Sequence, residues 1–264
     1  MATKPKAVTP SMLKALKTAA GQFSFHATSF SHGAGKTYEA WILFELAAAL
    51  KAIDVKVVPL DHRLAPVTST FRVRGGPGYI PSNPGLSSTG PCHFALLGNG
   101  TYLELHSSLR HCGSSETKHE LDISIIDNAA ADAVRKQPTG GAYLGRRFLG
   151  IELKEYDASQ TLPLNLARAL LGAAVDLDIK TALTSTSING SDFGFRSRDI
   201  YWLLTTAATG RSSITLLNRY RIRIVGEVVP GSITDPTVLI AHQVWRCFWP
   251  RSKATSATSP TSLP

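Results

Sequence analysis

Two short apolar runs of this chain carry charges where a buried strand ordinarily has none, and they limit the possible folds more than any other feature. The first is His119-Glu120-Leu121-Asp122-Ile123-Ser124-Ile125-Ile126. The second is Phe148-Leu149-Gly150-Ile151-Glu152-Leu153-Lys154-Glu155-Tyr156. Side chains alternate between the faces of a strand, so Glu120 and Asp122 share one face, and Glu152 and Lys154 share one face of theirs. If the two strands are neighbours, two or three carboxylates and one ammonium converge. Burying such groups is costly unless they pair or bind metal. Carboxylates and water are what Mg²⁺ prefers. The pattern therefore points to a divalent-cation site with a lysine beside it, which is chemistry suited to hydrolysing a phosphodiester. The competing reading is a solvated salt bridge on a strand.

The rest of the chain supplies a setting for these runs. The clearest helix covers 36–52, where Tyr38, Trp41, Ile42, Phe44, Leu46 and Leu50 leave little polar face, so it should be buried. Strands are expected at 22–30, 55–60, 102–111, 120–127, 147–156 and 180–187, and helices at 163–177, 197–209 and 236–249. Residues 212–229 read as β-rich. The polar link 112–118 joins two of the strands as a hairpin. Residues 72–91, rich in Gly and Pro, read as a long irregular loop, and 128–146 must loop out between the charged strands. Residues 1–20 should be frayed or loosely helical. The tail 251–264 is of low complexity and cannot build a core, so disorder is expected there. The central order is helix, three strands, helix, strand, with the charged motifs on the second and third strands. This is an α/β chain with a mixed central sheet flanked by helices.

Composition narrows the partners. At 264 residues and 43% hydrophobic, the chain can form one sizeable core. A net charge of +9 suggests a polyanionic partner such as nucleic acid, against a basic protein with no such role. No apolar run approaches the ~20 residues that span a bilayer, so no membrane association is expected. The start, Met1 to Lys17, has lysines but no signal-peptide apolar core, which gives a cytoplasmic expectation. Cys92, Cys112 and Cys247 form no CxxC pair, which argues against a disulfide framework or a structural zinc site.

With Asp122 on one strand and Glu152-Leu153-Lys154 on the next, the chain resembles the PD-(D/E)XK nuclease superfamily over roughly residues 36–190. The resemblance implies a restriction-endonuclease-like αβββαβ core within a domain over 36–250, behind an N-terminal extension of 1–35. It implies Mg²⁺ (or Mn²⁺) held by Asp122 and Glu152, with Lys154 as the catalytic lysine that helps activate or position the attacking water. A glutamate from the preceding helix often completes such a site. Glu45 and Glu39 are the candidates, and their six-residue separation puts them on different faces. Glu45, within Phe44-Glu45-Leu46, is the preferred one. Glu120 and His106 are additional candidates at the site edge. Leu121 precedes Asp122 where the family's name has proline, and the 30 residues from Asp122 to Glu152 are a long gap. The implied activity is metal-dependent hydrolysis of nucleic acid, DNA ahead of RNA, in a restriction or phage-defence role, with a homodimer or partner subunit. The alternative is a catalytically inactive nuclease-fold module that binds nucleic acid or assembles with a partner.

Three further features stand apart from that resemblance. Ser31-His32-Gly33-Ala34-Gly35-Lys36-Thr37 is similar to a phosphate-binding loop but has Phe30 where the full pattern needs glycine, so a glycine-rich helix entry is favoured. Its amides and Lys36 remain within the range of groups that contact a phosphate. His106 and His111 lie an odd offset apart and make no zinc pair on a strand. Arg219-Tyr220-Arg221-Ile222-Arg223 would place three arginines on one strand face, either to neutralise phosphates or to protect an edge.

Overall fold

The computed structural model describes residues 8–25, 27–29, 33–82, 90–178, 200–232 and 235–248. Its centre is a mixed seven-stranded sheet in the order β2-β4-β5-β6-β7-β8-β9. These strands are β2 (Lys56–Leu60), β4 (His93–Gly98), β5 (Thr101–Cys112), β6 (Lys118–Asp127), β7 (Arg147–Lys154), β8 (Tyr201–Thr205) and β9 (Arg223–Val225). Neighbours from β2 to β7 are antiparallel, and β7, β8 and β9 are parallel. A small parallel pair, β1 (Ala27–Ser29) with β3 (Thr70–Arg72), lies outside this sheet. No helix among the described residues is long and apolar enough to cross a membrane.

Helices cover both faces. On one side α2 (Ala34–Ala52) lies against the sheet, with α1 (Pro10–Gly21) and α6 (Pro236–Phe248) packed on it. The side chains of Tyr38, Ile42, Leu43, Phe44, Leu46 and Leu50 are almost wholly buried, against Leu103, Leu105, Ile123, Ile125, Leu149 and Ile151. A helix apolar nearly all round can only sit in such a sandwich, and each large side chain contributes about 1.5–3 kcal/mol on burial. Phe23, Phe25, Phe44, Phe71 and Phe94 form an aromatic group at one end, with Phe71 stacked on Phe94 at 4.6 Å between centroids. On the other side α4 (Leu164–Leu177) buries Ala167, Leu170, Ala174 and Leu177 against Leu121, Tyr201 and Leu203. Gly150 in β7 makes room for this packing, because a Cβ there would lie 2.8 Å from a ring carbon of Tyr201. The β5–β6 hairpin turn is tied to α4 where His119 Nε2 and Ser115 Oγ meet Asp176 Oδ2 at 2.7 and 2.8 Å.

Several expectations need correction. Residues 201–205, within the segment expected to be a helix over 197–209, form β8. Its side chains are all buried, Trp202 and Leu204 toward α2 and Tyr201 and Leu203 toward α4, so no alternation marks it as a strand. The expected β-rich segment 212–229 holds α5 (Arg211–Arg219) and only the short β9. The arginine stripe is broken with it. Arg219 ends a helix, Arg221 sits in a turn with φ of 55°, and only Arg223 is in a strand. The segment 128–146 does loop out, but it opens with α3 (Asn128–Arg135), capped by Asp127, whose Oδ1 accepts from Ala130 N at 2.9 Å. The strand β4 went unread. The expected strand 180–187 and the tail 251–264 lie outside the described residues.

Candidate active site

Asp122 sits where two ladders fail at once. The β6–β7 ladder runs from Ile126 to Ile123 opposite Ile151 and ends there. Beyond its end the Leu153 N–H donates to Asp122 Oδ2 at 2.7 Å, a side-chain carboxylate taking up a strand donor. On the other flank, β5 pairs Ser107 with Ile123 and Leu109 with Leu121, skipping Ser108 and Asp122. Ser108 has φ of 44°, a left-handed conformation uncommon for a residue with a Cβ. A kink of this kind re-aims a side chain. The buried Ser108 Oγ reaches α2, where it donates to Glu39 Oε1 and accepts from Lys36 Nζ at 2.7 Å.

The first turns of α2 complete the cluster. Lys36 Nζ donates to Glu39 Oε2 at 2.5 Å and lies 3.9 Å from Glu120 Oε1. Glu120 Oε1 is itself buried without a hydrogen-bond partner. On β7, Lys154 Nζ donates to Glu152 Oε1. Gly33, Ala34, Gly35, Lys36, Glu39, Asp122, Leu153 and Glu155 line a cavity of about 340 Å³. Arg74, held by the Ser107 and Tyr79 carbonyls at 3.2 and 3.0 Å, is coupled by charge to Glu120 and Glu39.

The carboxylates repel one another. Burial, with the Asp122 charge second, pushes Glu39 up to about 7 even though Lys36 and Ser108 oppose the shift. Burial and Asp122 likewise raise Glu152 to about 7, against the pull of Lys154. Glu120 is raised by the same two causes. Burial alone would lower Lys154, but Glu152 and Asp122 outweigh it and hold the ammonium charged. Burial draws Arg74 down to about 10, while Glu120 and Glu39 work the other way. Asp122 is thus the hub through which the other acidic groups are coupled. Carboxylates are the donors a hard divalent cation such as Mg²⁺ prefers, and their mutual repulsion favours its arrival; among the described residues, however, three candidate ligand atoms lie within 4.8 Å of one another only at His93, Glu104 and His106.

Asp122 and Glu39 line this cavity and Glu120 lies beside Lys36, while Glu152 and Lys154 pair with each other and are coupled to Asp122 by charge without lining it. Glu45 is elsewhere. Trp41 Nε1 donates to its Oε1 at 2.9 Å, and it lines a separate pocket beside Val228 and Asp235. Burial raises Glu45, and Trp41 works against the shift. The preference for Glu45 is therefore corrected to Glu39, which lies in the helix's first two turns, beside Ser108. His106 is also outside the cluster. Sequence reasoning did not find Ser108, Arg74 or Glu155. The one trace of Ser108 in the sequence is the Ser107-Ser108 interruption of an apolar strand.

His106 belongs to a second buried group. His93, Glu104 and His106 offer ligand atoms within 4.8 Å of one another, a set that could hold a metal. Two observations weigh against that use. Glu104 is already fully engaged, accepting from Arg135 at 2.6 and 2.8 Å, from Asn128 at 2.7 Å and facing His106 Nε2 at 2.7 Å. The two imidazoles are stacked at 9° with centroids 4.7 Å apart, so their in-plane lone pairs run side by side and do not converge. Burial would raise Glu104, but His106 and Arg135 more than offset it and hold the carboxyl well below its usual range. The group is a buried ion-pair network joining β4 and β5 to α3.

No family model, curated protein or solved structure matches the chain.

Proposed function

We propose that this protein is a metal-dependent nuclease of the PD-(D/E)XK kind that hydrolyses phosphodiester bonds in nucleic acid, DNA ahead of RNA. One observation carries the reading. Asp122 from β6 and Glu39 from α2 line one cavity, and the Glu152–Lys154 pair of β7 is coupled to Asp122 by charge. The described elements run α2, β2, β3, β4, β5, β6, α3, β7, α4, β8, and with β2 to β4 and α3 read as additions, the remaining order, with β8 parallel to β7, supports the αβββαβ core that the resemblance implies. The net charge of +9 favours a polyanionic substrate.

In this reading Asp122 and Glu152 would hold Mg²⁺, with Glu39 and Glu120 coupled by charge to Asp122. When bound, the cation supplies a Lewis acid for the phosphoryl oxygens and eases deprotonation of water. Lys154 carries its charge beside Glu152, positioned to orient the attacking water and to offset charge growing on the phosphoryl oxygens. Water adds to phosphorus, the bond to the leaving sugar oxygen breaks, and that oxygen takes up a proton. A pocket of about 300 Å³, mostly apolar and lined by Met12, Tyr156 and Val229, shares Ala34 and Glu155 with the cavity and leaves room for a base beside the scissile phosphate.

Two other readings remain distinguishable. A nucleotide-binding role for 33–37 needs Lys36 to face a phosphate, whereas its ammonium is engaged by Glu39 and Ser108. A nuclease-fold module that only binds nucleic acid would not need the Glu152–Lys154 pair. The test is cleavage of supercoiled plasmid, single-stranded DNA and RNA by purified protein with Mg²⁺ or Mn²⁺ against EDTA. Metal-dependent cutting that disappears in Lys154→Ala is expected. Binding without cutting on every substrate would overturn the enzymatic reading in favour of the binding module.

A further inference from the structure

Tyr79 is an aromatic side chain held outward by a fixed backbone. Gly78 N donates to Ser108 O at 3.0 Å and Arg110 N to Gly78 O at 2.8 Å, which ties the segment to β5. On its other side Ile80 N donates to Gly141 O at 2.9 Å, and Gly141 N donates back to Ile80 O at 3.0 Å. Ile80 is wholly buried with Leu109, Ile126, Val134 and Tyr143, so alternation turns Tyr79 toward solvent, where it is 38% exposed. Two cations gather on its ring. The Arg110 guanidinium lies 5.2 Å from the ring centroid and donates to the hydroxyl at 3.0 Å, and the Lys118 ammonium lies 5.4 Å from the same centroid. The bond from Arg110 holds the phenol below its usual pKa, and Lys118 adds to the effect.

Among the described residues neither cation forms an ion pair. Glu120 stands opposite Arg110 in the β5–β6 ladder, but its carboxylate approaches Lys36 of α2, at 3.9 Å. Lys118, two residues before Glu120, shares its face. Arg110 and Lys118 therefore lie on the sheet face that α2 covers, where Lys36 lines the cavity. We infer that Tyr79, Arg110 and Lys118 form a docking platform for the phosphate backbone of nucleic acid, beside the cavity and toward the β5–β6 turn. An arginine fork that uses one donor on Tyr79 has others for phosphate oxygens, and the Tyr79 hydroxyl, which accepts from Arg110, keeps its own proton to donate. Two positive charges without an acidic partner, on a chain of net charge +9, complement a polyanion. Charges that only protect a sheet edge need no ring pinned by backbone bonds on both sides. The platform rests on the reading above for its nucleic-acid partner alone, and needs neither metal nor cleavage.

The test is fluorescence anisotropy of a labelled DNA duplex with the full chain in EDTA, repeated from about 50 to 200 mM salt. Arg110→Gln combined with Lys118→Gln should reduce the slope of log affinity against log salt by about 1.8, at about 0.9 per phosphate contact, and weaken binding by at least about tenfold. Arg110→Lys combined with Lys118→Arg keeps both charges and should keep the slope. Circular dichroism melts check that the variants fold. An unchanged slope in the folded glutamine pair would overturn the proposal, as would an equal drop in Lys14→Gln with Lys17→Gln, which takes the same charge from α1. Polyglutamate competing as well as unlabelled DNA would overturn it in favour of an acidic protein partner, and a wild type that binds no nucleic acid would remove it outright. Binding through these residues by a chain that cuts nothing in Mg²⁺ would remove the nuclease reading and leave the platform standing.

Discussion

Asp122→Asn should stabilise the metal-free protein at alkaline pH relative to acid pH while removing its activity. The amide keeps an oxygen that can accept from Leu153 N, which Asp122 Oδ2 now does at 2.7 Å, and its shape is nearly unchanged. What it removes is the negative charge that helps raise Glu39 and Glu152 to about 7. A carboxyl whose folded pKa lies above its unfolded value of about 4.3 binds more protons when folded. It therefore costs stability as pH rises through the interval between those two values. Burial is the larger cause for both glutamates, so Asp122 accounts for less than half of each shift, on the order of one unit, or about 1.4 kcal/mol per unit. Two glutamates are affected, which puts the combined gain at about 2–3 kcal/mol at pH 8 and close to zero at pH 5, where both glutamates are protonated. Replacing a charged acceptor by a neutral one weakens the bond to Leu153 by about 1 kcal/mol at both pH values. The diagnostic quantity is therefore the change in the mutant-minus-wild-type difference between the two pH values. At about 2–4 °C per kcal/mol for a chain of this size, that is a relative Tm gain of about 4–12 °C for Asp122→Asn at pH 8 over pH 5. Thermal melts in EDTA read it directly. A difference that is the same at both pH values would refute the account of Asp122 as the hub of repulsion.

Other expectations follow from the same geometry. Mg²⁺ or Mn²⁺ competes with protons at Glu39 and Glu152, so its stabilisation of the protein should grow from pH 5.5 to pH 8, seen as an increasing Tm shift on metal addition. A constant shift across that range would contradict it. Glu39→Gln should lower cleavage by about 10²-fold or more, while Glu45→Gln, which touches only Trp41 and its own pocket, should stay within about threefold. Initial rates under saturating Mn²⁺ compare them. Glu104→Ala leaves the buried Arg135 only its half-exposed partner Asp132 and should cost about 3 kcal/mol in urea unfolding, whether or not metal is present. If chelators and added Zn²⁺ changed wild-type stability but not that of Glu104→Ala, the network would be a metal site after all.

The motif pair was legible because strands advertise themselves by alternation. Asp122 between Leu121 and Ile123, and Glu152 between Ile151 and Leu153, are charges set into otherwise buried strands, but the period of two breaks at Asp122, because Leu121 packs toward α4 and Ile123 toward α2. The buried helix was legible for the same reason, but its phase was not. With apolar residues nearly all round, nothing in 36–52 says whether Glu39 or Glu45 meets the sheet, and packing against α1 and α6 decides it. A strand buried on both faces has no alternation to show, which is why Tyr201–Thr205 read as a helix. The Arg219–Arg223 stripe failed because Arg221 turns the chain, a local conformation that the charge pattern does not encode. The contribution of Ser108 depends on a single left-handed residue in a long strand, and its meaning appears only once α2 lies beside it.

The most direct test of the central claim is plasmid cleavage by Asp122→Asn in Mn²⁺, with DNA affinity followed by fluorescence anisotropy in the same buffer. The account predicts metal-dependent cutting by the wild type, a loss of at least about 10³-fold in the variant, and DNA affinity within a few fold of wild type. Equal cutting by the two proteins, or none by a wild type that binds Mn²⁺ and DNA, would contradict it.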